Sequence, residues 1–164
     1  MKIEIKNISY SERMSEETSC FSADLWVDGK KIGEVSNRGT GGRDDFHGDR
    51  AAYDAADAWC KANLPGWSLD DDRPDLFPTD LEMHVASLLS EWLARKDMKR
   101  ALTKSVIFTL PEKPGLYHIK AKAPMKPTDP RLIAHVTIKH PGAVILNTLP
   151  EAEALGLYRT AGAA

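Results

Sequence analysis

The dipeptide Asp28-Gly29, set between two runs of strand-forming residues, constrains this chain more than any other feature. A two-residue hairpin in a type I′ turn needs positive φ at both central positions, and Asp-Gly tolerates it. The flanking runs are CFSADLWV (20–27) and KKIGEVSN (30–37). An antiparallel pair there frames the first part of the chain. KIEIKNISY (2–10) adds a third strand, with Ile3, Ile5 and Ile8 on one side and charges between them. The polar, acidic stretch 11–19 reads as a loop.

Beyond the hairpin, RGTGGRDDFHGDR (38–50) holds four glycines and little apolar content, which predicts a flexible loop. A helix is expected from about Asp49 to Asn63, N-capped near Asp49 or Gly48. Ala51, Ala52, Ala55, Ala56 and Trp59 give it a close-packing face, and Pro65-Gly66 ends it. Residues 66–78 read as an acidic loop anchored by Trp67, Leu69 and Leu76. Thr79-Asp80-Leu81-Glu82 has the form of a capping box and opens the strongest helix, roughly 80–101. Leu81, Val85, Leu88, Leu89 and Trp92 recur on it at helical spacing. Arg95, Lys96, Lys99 and Arg100 complement the negative end of its dipole.

Two strands, 104–110 and 115–121, should form a hairpin across PEKP. KAPMKP (122–127) reads as a rigid basic loop. Thr128-Asp129-Pro130 starts a third helix that ends near His140. The apolar run AVILN (143–147) reads as a short strand central in a sheet. Thr148-Leu149-Pro150-Glu151 resembles a second capping box and opens a final helix to about Thr160. The order is βββ-α-α-ββ-α-β-α. It defines an α+β fold with a mainly antiparallel sheet and about four helices, leaving room for parallel pairing in the last β-α-β-α portion. A chain of 164 residues suits a single domain, 1–164, with a possible sub-division near 66–78.

Hydrophobic residues make up 42% and charged residues 28% of the chain, which argues against general disorder. No apolar run approaches the ~20 residues that span a bilayer, and MKIEIKNISY lacks the apolar stretch of a signal peptide, so a cytoplasmic protein is expected. Cys20 and Cys60 form no CxxC pair and read as free thiols. Residues 1–90 hold 10 Lys/Arg against 18 Asp/Glu, a balance of −8. Residues 91–164 hold 12 against 6, a balance of +6. Such a split either marks an electrostatic binding face or lets the halves attract each other.

Several constellations qualify as candidate sites. Gly39, Gly41, Gly42 and Arg43, just before a helix start, resemble a phosphate cradle in outline, since converging backbone N–H groups favour anions. They match neither the P-loop nor the dinucleotide pattern, and Asp44, Asp45 and Asp49 oppose a phosphate there. The alternative reading is a plain connection. Asp44, Asp45, His47 and Asp49 are suitable ligand types for a divalent cation, without the spacing of a calcium loop. Asp70, Asp71 and Asp72, near Trp67 and Phe77, form an acidic run with aromatic anchors, fit to dock on a basic partner or to be simply solvated. Arg95, Lys96, Lys99, Arg100, Lys104, Lys120, Lys122 and Lys126 would bind a phosphate backbone if the fold gathers them, although no nucleic-acid motif accompanies them. The five histidines, His47, His84, His118, His135 and His140, show no metal spacing, and no GxSxG or triad is recognisable.

FSADLWVDGKKIGEVSNRGTGG (21–42) and AVILNTLPEAEALGLYR (143–159) resemble small accessory proteins encoded by phages and prophages. The resemblance implies a product that acts by binding a host protein, as anti-CRISPR and other anti-defence inhibitors do. It transfers no functional residue. The expected function is therefore a non-enzymatic protein that binds a host macromolecule and inhibits a host defence system. Its contacting surface would include Asp45, Trp67, Asp70, Asp71 and Asp72. The alternative is a module that binds a nucleotide or other anion at Gly39, Gly41, Gly42 and Arg43. No cofactor, metal or membrane is implied. Nucleic acid is a less favoured partner, and either a monomer or a homodimer is compatible.

Overall fold

The computed structural model describes residues 1–68 and 76–162. Among the described residues, eleven strands and α-helices follow one another: β1 (Ile3–Tyr10), β2 (Phe21–Val27), β3 (Lys30–Asn37), β4 (Asp45–Gly48), α1 (Arg50–Asn63), α2 (Leu81–Leu102), β5 (Ser105–Leu110), β6 (Lys113–Lys120), α3 (Pro130–Lys139), β7 (Val144–Ile145) and α4 (Glu151–Gly162). The fold is α+β, with two antiparallel sheets. The chain divides into two compact units, Met1–Ser90 and Glu91–Ala164. The division coincides with the change in charge balance noted above.

The N-terminal unit carries a sheet in the order β1-β2-β3-β4. Asp28 and Gly29 have φ of 47° and 82°, the double positive φ that the β2–β3 turn demands. On β2, Phe21, Ala23 and Leu25 are buried and alternate with Ser22, Asp24 and Trp26. Two bulges adjust the neighbouring strands. Lys6 pairs with Asp24 but Ser9 pairs with Ser22, so β1 holds one extra residue there. Asn7 takes φ 52° at this point, and its amide donates to Asp24 at 2.8 Å. The extra residue brings Ile8 into phase with Ile3 and Ile5, which strict alternation would have denied it. On β3 a second irregularity lets the adjacent residues Ile32 and Gly33 both be buried.

β4 corrects the expectation of a structureless 38–50 loop. Asp45–Gly48 pairs with β3, with Val35 opposite Phe46 and Gly33 opposite Gly48. The reason is a slot at Gly33. A Cβ there would lie 2.5 Å from the Phe46 ring and 2.5 Å from the His47 carbonyl oxygen. Phe46 fills the slot and meets Tyr53 of α1, ring centroids 4.5 Å apart. Asp49 then caps α1, accepting from the Ala52 N–H at 3.1 Å. Ala56 and Cys60 of α1, and Leu81, Val85 and Leu89 of α2, are also buried in this unit.

The capping box at Thr79 does not form. Asp80 accepts from the Met83 N–H at 2.8 Å, while the Thr79 hydroxyl donates to the Pro65 carbonyl at 2.6 Å. The Leu81 N–H donates to Asp57 of α1 at 3.0 Å. Glu82 is thereby left for another task. The second box behaves alike: the Thr148 hydroxyl donates to the Ile145 carbonyl, and Glu151 receives Arg95 and Lys99.

In the C-terminal unit the sheet order is β6-β5-β7. The fully apolar strand read at 143–147 is not central. Val144–Ile145 is a two-residue edge strand, antiparallel to β5, and Leu146–Thr148 turns into a 3-10 helix. The central strand is β5, with Ser105, Val106, Ile107 and Phe108 all buried. Pairing to β7 is antiparallel, so the expected room for parallel pairing is not used. Asn147 explains the early end of β7. Its side-chain oxygen accepts from the Ile107 N–H at 2.8 Å, and its amide donates to the Ser105 carbonyl at 3.0 Å and the Leu102 carbonyl at 3.3 Å. One side chain thus makes the contacts that a longer strand would have made. The two faces of the sheet are covered separately. Ile107 packs with Met98, Leu146, Ala154 and Leu155. Val106 and Phe108 pack with Val136 and Ile145.

Candidate functional site

Around the glycine-rich loop, Asn37 is the hub. This side chain is buried at 7% exposure, so its four hydrogen-bonding positions must be filled from within. Its oxygen accepts from the Thr18 hydroxyl at 2.7 Å and the Gly39 N–H at 2.9 Å. Its amide donates to Asp44 at 2.9 Å and the Gly42 carbonyl at 3.3 Å. The Gly41 N–H donates to Thr18 at 3.3 Å. The Gly39 carbonyl in turn receives three successive N–H groups, from Glu16, Glu17 and Thr18 at 2.9, 3.0 and 3.3 Å. Three convergent N–H groups form an anion-binding nest. Here the nest belongs to the 11–19 loop, and the glycine loop supplies the oxygen that fills it.

Glu82 closes the other end, accepting from Arg43 Nε at 2.7 Å and the Asp44 N–H at 3.0 Å. A ligand at Gly39, Gly41 and Arg43 would have to compete with these internal partners. Gly39 also has no room to change: at φ 87°, a Cβ would lie 2.0 Å from the Met14 carbonyl oxygen. Burial raises the Asp44 carboxyl, against the pull of its Asn37 hydrogen bond.

The four residues considered for a cation diverge. Asp44 turns to Asn37, Asp49 caps α1, and Asp45 and His47 lie exposed on β4 opposite Ser36 and Glu34. Among the described residues, no group of three or more His, Cys, Asp or Glu could hold a metal ion. Trp67 makes an isolated antiparallel bridge to Phe77, ring centroids 5.2 Å apart. Leu69, Asp70, Asp71 and Asp72 lie outside the described residues. Burial pushes the Cys60 thiol up to about 11, so it stays protonated at neutral pH. His84 is half-buried and its pKa is lowered by desolvation.

The C-terminal unit holds a groove that the sequence reading missed. A hollow of about 700 Å³ has an apolar floor of Met98, Leu102, Leu146, Leu149 and Ala154. Lys99, Glu151, Asn147, Thr103, Lys126, Pro127 and Thr128 complete its wall. Helical spacing aligns Met98 with Leu102 and Lys99 with Thr103, one residue apart, so α2 offers the groove an apolar row beside a polar one. A second hollow of about 510 Å³ shares Thr103, Lys126 and Pro127 with the first and adds Lys104, Lys120 and the 121–125 turn. Of the eight cations singled out in the sequence, Lys99, Lys104, Lys120 and Lys126 thus line two adjoining hollows. Lys99 is bound to Glu151 at 2.9 Å, a carboxyl held low by that hydrogen bond and by Arg95. Lys104, Lys120 and Lys126 have no ion-pair partner among the described residues. The basic loop 122–127 was visible in the sequence. The floor was not, because its residues come from α2, the turn after β7 and α4.

No protein-family model matches this sequence, no curated protein matches it, and no solved structure matches its fold. No helix is long and apolar enough to cross a membrane among the described residues.

Proposed function

We propose that this chain is a binding protein whose C-terminal unit takes up an amphiphilic anion, with an apolar body on the groove floor and a charged head at the lysine-lined turn. One observation carries the reading: the apolar hollow and the lysine-lined hollow adjoin, with Thr103, Lys126 and Pro127 lining both. The larger hollow falls within the roughly 300–1,000 Å³ of small-molecule sites. The lining of both hollows contains no aromatic ring and no arginine. A nucleic-acid strand would therefore find no surface on which its bases could stack. The small-molecule function is assigned to this groove rather than to the glycine loop, whose Gly39 and Gly41 N–H groups and Arg43 Nε are engaged internally. In the setting that the phage resemblance implies, such a protein withholds a ligand from a host defence system.

Titration with a fluorescent fatty acid tests the reading. One saturable site is expected, and Thr128→Trp, at the exposed rim, should weaken binding about tenfold or more with an unchanged circular dichroism spectrum. Uptake that never saturates, or equal affinity in Thr128→Trp and Leu149→Gln, would overturn it.

A second reading keeps a host protein as the partner, docked on the acidic N-terminal unit at Asp45, Trp67 and Asp70–Asp72. Leu76 and Phe77, 69% and 43% exposed and a few residues on in sequence from that acidic run, favour it as apolar anchors. Lysines in place of Asp70, Asp71 and Asp72 should then abolish capture of the purified partner.

A further inference from the structure

The lysine-lined end of the groove carries enough charge to specify the head group. We infer, resting on the groove reading above, that the ligand is an alkyl phosphate, a single apolar chain ending in a phosphate monoester, and not a carboxylate. Three lysines line that hollow without an acidic partner among the described residues: Lys104, Lys120 and Lys126. The nearest candidate partners are committed elsewhere, Asp129 to Arg131 at 2.9 Å and Glu151 to Lys99 and Arg95.

The backbone fixes the positions of these lysines. Lys120 pairs with Ser105 in the β5–β6 ladder, and the Ala121 N–H donates to the Lys104 carbonyl at 3.2 Å. The Lys126 carbonyl accepts from the Asp129 N–H at 2.9 Å. No acidic side chain lines this hollow, so an anion there would meet three uncompensated lysines. A carboxylate brings a single charge and leaves most of the three cations unmatched, whereas a phosphate monoester brings about −1.5 to −2 at neutral pH. Lysine binds phosphate as a point charge.

The test compares dodecyl phosphate with dodecanoate, both below their micelle-forming concentrations, by isothermal titration. Dodecyl phosphate should bind about tenfold tighter or more, and the double variant Lys104→Gln/Lys126→Gln should erase that preference while keeping dodecanoate binding. The same variant should be as stable as the natural chain, because neither lysine holds an ion pair among the described residues, which separates a binding role from a structural one. Equal affinity for the two probes would overturn the phosphate assignment and leave the groove reading standing. Failure of both probes to bind would overturn the two together. Vesicles containing phosphatidic acid separate the sources of the head group. Binding to soluble dodecyl phosphate without vesicle binding supports a free ligand, and binding to vesicles alone overturns it.

Discussion

Asp44 sits where two electrostatic demands collide. Its carboxylate accepts a hydrogen bond from Asn37, yet burial and the nearby Glu82 and Asp45 disfavour its charge. Its pKa in the folded chain therefore lies above that of the unfolded chain. The folded state binds more protons in that window, so acidification toward the raised pKa favours folding at this residue, and the benefit is lost as pH rises through it. Asp44→Asn keeps the acceptor oxygen and removes the charge. It should stabilise the chain at neutral pH by under about 1 kcal/mol, given partial solvent screening, and the gain should vanish near pH 4. Urea titrations of the two chains at both pH values provide the check. Asp57 has the opposite sign. Burial would raise its carboxyl, but the Leu81 N–H and Lys61 more than offset this, so its contribution is present above the ordinary aspartate value and lost below it.

At the scale of elements, the legible parts of the fold are those with strictly local causes. The β2–β3 turn follows from Asp28-Gly29, and α1 and α3 start where Asp49 and Asp129 accept the first N–H groups. The illegible parts depend on contacts distant in sequence. β4 exists because Gly33 vacates space for Phe46, which four glycines in its own segment concealed. The two Thr-x-x-Glu boxes fail because Glu82 and Glu151 find cations remote in sequence, Arg43 in one case and Arg95 and Lys99 in the other. β7 is short because Asn147 takes over its ladder. Asn147→Ala leaves the Ile107 N–H without its partner in a buried strand, and should cost about 2–3 kcal/mol. Asn147→Asp retains the acceptor but cannot donate to the Ser105 and Leu102 carbonyls, so it should rescue only part of the loss. Thermal unfolding of the three chains measures both effects.

For the whole molecule, the change of charge balance between residues 1–90 and 91–164 was legible in the sequence, and the two compact units divide at the same point. The groove was half legible: its lysines stood out as a basic stretch, but its floor required α2, α4 and the turn between β7 and α4 to be brought together. The groove reading has a thermodynamic consequence for the intact chain. A ligand that binds only the folded state at one hundred times its Kd stabilises it by about 2.7 kcal/mol. Saturating dodecyl phosphate should therefore raise the melting temperature of the natural chain by several degrees, and that of Thr128→Trp far less, in a differential scanning calorimeter.

The Asn147 side chain also bears on the edge of the C-terminal sheet. A sheet edge with free backbone donors and acceptors is a template on which another chain can add a strand. Along β5, the Ile107 N–H and the Ser105 carbonyl would be such a template beyond the end of β7. The amide occupies both, and because it is a side chain it carries no further ladder outward. The sheet is brought to a stop on that side by a group that cannot be copied into a growing fibril.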